Sequence, residues 1–196
     1  MVVVGITGGI GSGKTTIANY IKSFGIPLYV ADKEAKALMN RSKVIKRKLI
    51  QLFGDKAYVD GKLNRPFLAK MIFNDKSLLN QMNAIVHPKV ASHFKRWLKK
   101  QDAPYILKEA AIIFENNLQS NYDYIITVVA DADLRIERIL DRDETTREKI
   151  EAIIKNQWTD SQKEKLSDFV ITNNDLDLAK KQALQIHTKL LKIIEQ

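Results

Sequence analysis

The sequence predicts an α/β fold: a five-stranded, mostly parallel sheet flanked by helices, with a helical segment inserted into it. Three observations predict it. The first 31 residues read strand, helix, strand; residues 33 to about 100 read as helix after helix; and apolar strands return near 105, 124 and 168. Helices that connect parallel strands cover both faces of a sheet, so the strands appear as continuous apolar runs.

The elements follow in order. Val2 to Ile6 is an unbroken apolar run that ends in a cluster of glycines. From Lys14 to Phe24, the residues Ile17, Ala18, Ile21 and Phe24 share one helical face, and Gly25 stops the helix. Residues 26–31 form a second short strand, which completes a βαβ unit. Helices are then predicted over 33–40, 42–53, 65–73, 76–83 and 87–100, with turns at Gly54 and at Asp60-Gly61 and no convincing buried strand. Strands are predicted over 105–110 and 124–129, a polar helical stretch over 133–166, and a last strand over 168–172. The final helix, from about 176, is expected to turn Leu178, Leu184, Leu190, Leu191 and Ile194 toward the core. The expected organisation is a core of residues 1–32 and 101–196 carrying an insertion of residues 33–100.

Composition narrows the functional classes. A chain of 196 residues holds one ordinary domain and an insertion. With 45% hydrophobic and 28% charged residues it resembles an average globular protein, and the absence of cysteine excludes disulfides, thiolate metal sites and cysteine nucleophiles. No apolar run approaches the ~20 residues that span a bilayer. The stretch Met1 to Thr7 lacks the basic leader and long apolar run of a secretory signal. The expectation is a soluble cytoplasmic protein with no membrane partner. The 32 basic against 23 acidic residues give a formal charge of +9, which favours anionic partners: nucleic acid, a membrane surface or phosphorylated small molecules. Solvated helix faces account for the basic clusters at 43–48 and 95–100, since both carry apolar residues at helical intervals.

Five of the eight glycines fall between positions 5 and 13, and Gly8-Gly9-Ile10-Gly11-Ser12-Gly13-Lys14-Thr15 fits G-x-x-x-x-G-K-[ST] completely. At average residue usage such a match arises by chance about once in a hundred chains of this length. A buried strand before it and an amphipathic helix after it supply the context of a phosphate-binding loop, and hence of a P-loop NTPase-type sheet. The glycines let successive N–H groups approach phosphate oxygens closely. The candidate nucleotide-binding residues are Gly9, Gly11, Ser12, Gly13, Lys14, Thr15 and Thr16. Lys14 supplies a compact cation for the β and γ phosphates of ATP, and the Thr15 hydroxyl is the candidate ligand of Mg²⁺. A dinucleotide site would place an acid such as Asp32 after the second strand, but no G-x-G-x-x-G can be placed among these glycines.

A nucleoside triphosphate site serves a switch, a motor or a kinase. The sequence lacks both N-K-x-D and D-x-x-G, against a GTPase, and the chain is short for a motor despite Val128-Val129-Ala130-Asp131. The insertion can cover a second substrate, and the arginine-bearing segment that follows the fourth strand can act as a lid, about 138–150, with Arg135, Arg138, Arg142 and Arg147 as candidates. Arg138 and Arg142 share a helix face, and an arginine fork matches phosphate oxygens. A surface helix whose arginines pair with Asp141, Asp143 or Glu144 fits the same run. Asp32 likewise fits an N-cap for a helix beginning at Lys33.

The loop, Val30-Ala31-Asp32, the segment Leu79 to Pro88 with His87, Ile112-Ile113-Phe114-Glu115, the run Arg138 to Asp143, Gln157 and Asp168 to Asn174 together resemble the dephospho-CoA kinase family, in its order and over nearly the whole chain. Val30 replaces an acid and Ala111 a proline that are usual there. The resemblance implies transfer of the ATP γ-phosphoryl group to the ribose 3′-hydroxyl of dephospho-CoA, the last step of coenzyme A synthesis. It implies Asp32 as the acid facing that hydroxyl, with Lys14 and Arg142 as its catalytic companions; Glu109 stands where a strand-end acid could reach Mg²⁺ or its waters, at a position where the family more often has Asp. His87, before Pro88 at an expected helix start, reads as structural. The implied partners are ATP and dephospho-CoA, with no nucleic acid, on a monomer or small homo-oligomer. Two alternatives are another small-molecule or nucleotide P-loop kinase and a basic ATPase stimulated by nucleic acid.

Overall fold

The computed structural model describes residues 1–73 and 75–196. It divides into two compact units, one of residues 1–30 with 101–196 and one of residues 31–100.

The first unit is built on five parallel strands, β1 (Val2–Thr7), β2 (Leu28–Val30), β5 (Tyr105–Glu109), β6 (Tyr124–Val129) and β7 (Phe169–Thr172), in the order β2-β5-β1-β6-β7. Successive side chains of a strand point to opposite faces. Val4 and Ile6 of β1 therefore join Leu107, Ile126, Val128 and Ile171 on the face packed by α1 (Lys14–Lys22) and α9 (Leu176–Ile194). Gly5 points the other way, where a Cβ would press on Tyr122 and Ile113. Two aspartates fix the strand beginnings: Asp123 accepts from Val3 N and Asp168 from Ile125 N, each at 2.7 Å. The polar stretch after β6 breaks into α6 (Ala132–Arg142), α7 (Arg147–Lys155) and α8 (Asp160–Glu164), the last closed by a capping box between Thr159 and Gln162.

The face of α9 differs from the expected one. Ala179, Ala183, Ile186 and Leu190 are buried, and Leu191 and Ile194 pack against them, but Leu178 and Leu184 are 56% and 44% exposed. Small alanines, invisible to a search for large apolar residues, set the contact stripe.

The second unit runs α2 (Ala31–Arg41), α3 (Lys43–Phe53), a hairpin of β3 (Tyr58–Val59) and β4 (Lys62–Leu63), α4 (Arg65–Phe73) and α5 (Lys76–Leu98). Its core is Leu38, Ile45, Leu49, Phe53, Tyr58, Leu68 and Val86. The expectation of helices alone is corrected by the hairpin, whose strands are too short to show a pattern; its turn is Asp60-Gly61, both with positive φ. The two helices expected over 76–83 and 87–100 are one, of 23 residues, with Pro88 inside it. His87 is thus an exposed mid-helix residue, away from any helix start. Helix α2 begins at Ala31, so Asp32 sits in its first turn and does not cap it.

Leu190→Ala should destabilise the protein by about 2–5 kcal/mol through the cavity it leaves, whereas Leu178→Ala should stay within about 0.5 kcal/mol; urea unfolding of the two variants measures the difference.

Candidate active site

The site grows from the C-terminal end of the central strand. β1 ends at Thr7, and the chain passes through Gly8 to Gly13 before α1 begins at Lys14. A Cβ at Gly8 would strike the Val128 carbonyl and Ser12 Oγ, so no side chain fits where the loop leaves the sheet. Gly13 stands before α1 at φ 83°, a left-handed conformation, and a Cβ there would also strike Asn173. The helix has no side-chain cap at this end and no acid in its first turn. The first amides of an α-helix have no carbonyl one turn earlier in the helix to bond, and they stand at the positive end of the helix dipole.

A cavity of about 240 Å³ opens in front of these amides, lined by Gly11, Gly13, Lys14, Thr15 and Thr16 from the loop and by Arg138, Ile139 and Arg142 from α6. A larger hollow of about 420 Å³ along α9, beside Leu184, Thr188 and Lys189, contains none of the motif's residues, so size alone does not locate the chemistry.

Thr15 carries the second feature. Its hydroxyl donates to Glu109 Oε1 at 2.5 Å across 94 residues of sequence. Glu109, at the end of β5, is 5% exposed, and its Oε2 is buried without a hydrogen-bond partner. A buried carboxylate oxygen left open beside a hydroxyl is a costly arrangement unless something completes it. The donor set, hard oxygen only, fits a hard divalent cation. Among the described residues no group of three or more His, Cys, Asp or Glu could hold a metal by itself. Water and phosphate oxygens would have to supply the remaining ligands.

The four arginines expected in a lid part company. Arg138 lines the cavity, and its Nη1 is buried with no hydrogen-bond partner. Arg142 also lines it, but its exposed guanidinium forks onto Asp143 at 2.9 and 2.7 Å. That hydrogen-bonded pairing raises the Arg142 pKa and lowers that of Asp143. Arg147 pairs with Asp133 and Glu151 on the surface of α7, as a solvated helix face would. Arg135 is no lid residue: it is 6% exposed and lies behind the loop, donating from Nε to the Ile10 carbonyl at 2.8 Å and pairing with Asp160 at 3.1 Å.

Behind the loop stand residues that sequence spacing did not single out for a role. Gln157 Oε1 accepts from Ile10 N at 2.9 Å, and Asn173 Nδ2 donates to the Ser12 carbonyl at 2.8 Å. Glu115 accepts from Trp158 N at 3.0 Å and lies 2.8 Å from Lys163 Nζ, which is fully buried. The order of these residues along the chain was readable, but the convergence of Gln157 and Asn173 on Ile10 and Ser12 was not. Asp32, exposed in the first turn of α2, belongs to the unit of residues 31–100. It follows by two residues Val30, which is paired in register with Glu109.

Comparison with known proteins adds an independent line. The family model of dephospho-CoA kinase matches residues 2–178. A dephospho-CoA kinase of Bacteroides fragilis is 37% identical over 172 residues, covering 87% of this chain and 84% of the relative. One from Mannheimia succiniciproducens is 34% identical over 201 residues, covering 99% and 94%. The crystal structure of a Thermus thermophilus protein superposes with a TM-score of 0.88 at 29% identity, over 96% of each chain.

Gly13→Ala adds a left-handed strain and a clash with Asn173, and should weaken ADP binding at least ~100-fold if two or more amide contacts to phosphate are lost together; titration calorimetry with ADP checks it, with circular dichroism confirming that the variant is folded.

Proposed function

The chain belongs to the dephospho-CoA kinase family, and from that membership we propose how its own residues carry the family's reaction. The activity is ATP-dependent phosphorylation of dephospho-CoA to coenzyme A. This reading favours neither a different acceptor nor a nucleic-acid-stimulated ATPase. The observation that carries the mechanism is a cavity lined by the glycine loop, by Thr15, whose hydroxyl bonds Glu109, and by Arg138, whose Nη1 is buried with no hydrogen-bond partner.

The loop amides and Lys14 bind the β and γ phosphates of ATP. Gly9, Gly11, Ser12 and Gly13 shape the nest, and Thr16 follows in the first turn of α1. Thr15 and Glu109 would hold Mg²⁺, which when bound neutralises charge on the phosphates. Arg138 meets charge that develops on the transferring group. Arg142 joins it by exchanging Asp143 for phosphate oxygens, a like-for-like swap of one fork acceptor for another. Asp32 orients the 3′-hydroxyl of dephospho-CoA and takes its proton as the new bond forms. The unit of residues 31–100 binds the remainder of the acceptor, and a closing lid at about 138–150 excludes water that would otherwise hydrolyse ATP. ATP and dephospho-CoA are the partners, and the reaction is placed in the cytoplasm, where ATP is supplied.

The direct test is incubation of the purified chain with Mg-ATP and dephospho-CoA, with the position of the new phosphate read by phosphorus NMR. The 3′-phosphate is expected; product at another position, or none, refutes the reading. Asp32→Asn should lower kcat by about 10²–10⁴ while leaving the Kd for ATP within a few fold, as loss of a general base does. Glu109→Gln should raise the Mg²⁺ concentration for half-maximal rate at least ~10-fold, measured by metal titration at saturating substrates.

A further inference from the structure

A peptide unit is planar and trans, so its carbonyl oxygen and its N–H point in opposite directions. On the back of the phosphate loop two carbonyls are held. Ile10 O accepts from Arg135 Nε, and Ser12 O accepts from Asn173 Nδ2, both at 2.8 Å. The N–H groups of those same two peptide units belong to Gly11 and Gly13, the two glycines that line the cavity in front. Drawing the carbonyls backward therefore turns these two amides forward.

Both donors are themselves fixed. Arg135 is 6% exposed and its Nη1 donates to both carboxylate oxygens of Asp160, at 3.1 and 3.3 Å. Asn173 is 3% exposed, and its own N–H donates to the Val129 carbonyl at 2.8 Å, at the end of β6. Its amide has one sensible orientation, since the reverse would set Oδ1 against the Ser12 carbonyl. The N–H of Ile10 is taken by Gln157, which removes it from the forward set.

We infer that Arg135 and Asn173 are positioning residues that aim the Gly11 and Gly13 amides at the polyphosphate of the bound nucleotide. The inference rests on the reading of this loop as a nucleotide site. The residues act through the loop's backbone from its far side. Their effect is preorganisation: amides already turned forward need no reorientation when the anion arrives, which is where oriented dipoles gain most.

The test is amide NMR of the ¹⁵N-labelled full chain during titration with ADP. In the wild type the amide protons of Gly11 and Gly13 should move downfield, and that of Ile10 should not. Arg135→Met should abolish the movement at Gly11 and keep it at Gly13, and Asn173→Ala should do the converse. Each should raise the Kd for ADP about 10-fold, the loss of one hydrogen bond to a charged acceptor, with the KM for dephospho-CoA unchanged. Arg135→Lys, which can still donate once to Ile10 O, should recover part of the loss. A wild-type protein that binds ADP without downfield movement at either glycine overturns the inference, and does so even if no variant folds. Folded variants whose Kd stays within about twofold of wild type overturn it as well. A wild-type protein that binds no ADP refutes instead the nucleotide reading beneath it.

Discussion

A protein that grips polyphosphate with its own backbone must turn several peptide groups to one side and keep them there in the absence of the anion. Nothing in a glycine-rich stretch does this locally. Glycine permits the conformation and, by the same freedom, opposes settling into it. In this chain the constraint is met from behind, by hydrogen bonds to Ile10 and Ser12 from residues 125 to 161 positions away. The hydrogen bonds that hold the loop therefore come from distant elements: Asn173 follows β7, and Arg135 lies on the helix that follows β6.

The supports have supports of their own. Gln157 lies on the short connection between α7 and α8 and Asp160 opens α8, and this stretch is pinned where Glu115 meets Trp158 N and Lys163. A buried ion pair is weak grounds for stability, since burying both charges costs about what their attraction returns. Its geometry is another matter. Lys163 is fully buried and Glu115 is its ion-pair partner, so removing Glu115 strands a buried charge. The pair fixes a place more than it lowers a free energy, and the place it fixes is the one from which the loop is held.

Legibility followed the range of the interactions. The sheet, its strands and the loop could be read because each is a pattern within a few residues: an apolar run, a template of eight, a helical stripe. The hairpin at 58–63 was missed because two-residue strands have no period, and the break expected in α5 because Pro88 is a helix breaker by propensity that tertiary packing tolerates here. The outward face of Leu178 and Leu184 was missed because alanines form the stripe. At the site, Lys14 and Thr15 followed from the template alone. The bond from Thr15 to Glu109 depends on the register of β1 against β5, and the separate fates of Arg135, Arg138, Arg142 and Arg147 depend on which face of α6 or α7 meets the loop. Spacing names the face a residue shares with its neighbours and leaves open what that face touches.

The division among those arginines also bears on selectivity against water. Arg138 is committed: buried at Nη1 and unpartnered, it carries a cost in the free protein that an anion relieves. Arg142 is satisfied by Asp143 and exposed, so it gains little from moving until a better acceptor comes within reach. One arginine that waits in place and one that must be drawn off a neighbour make a graded response. In the proposed mechanism the first contributes to holding ATP, and the second is recruited only as phosphate oxygens approach α6 closely enough to compete with a carboxylate. A site built this way can bind its nucleotide without assembling all of its charge around it, which is what a transferase needs if water is not to be the first acceptor.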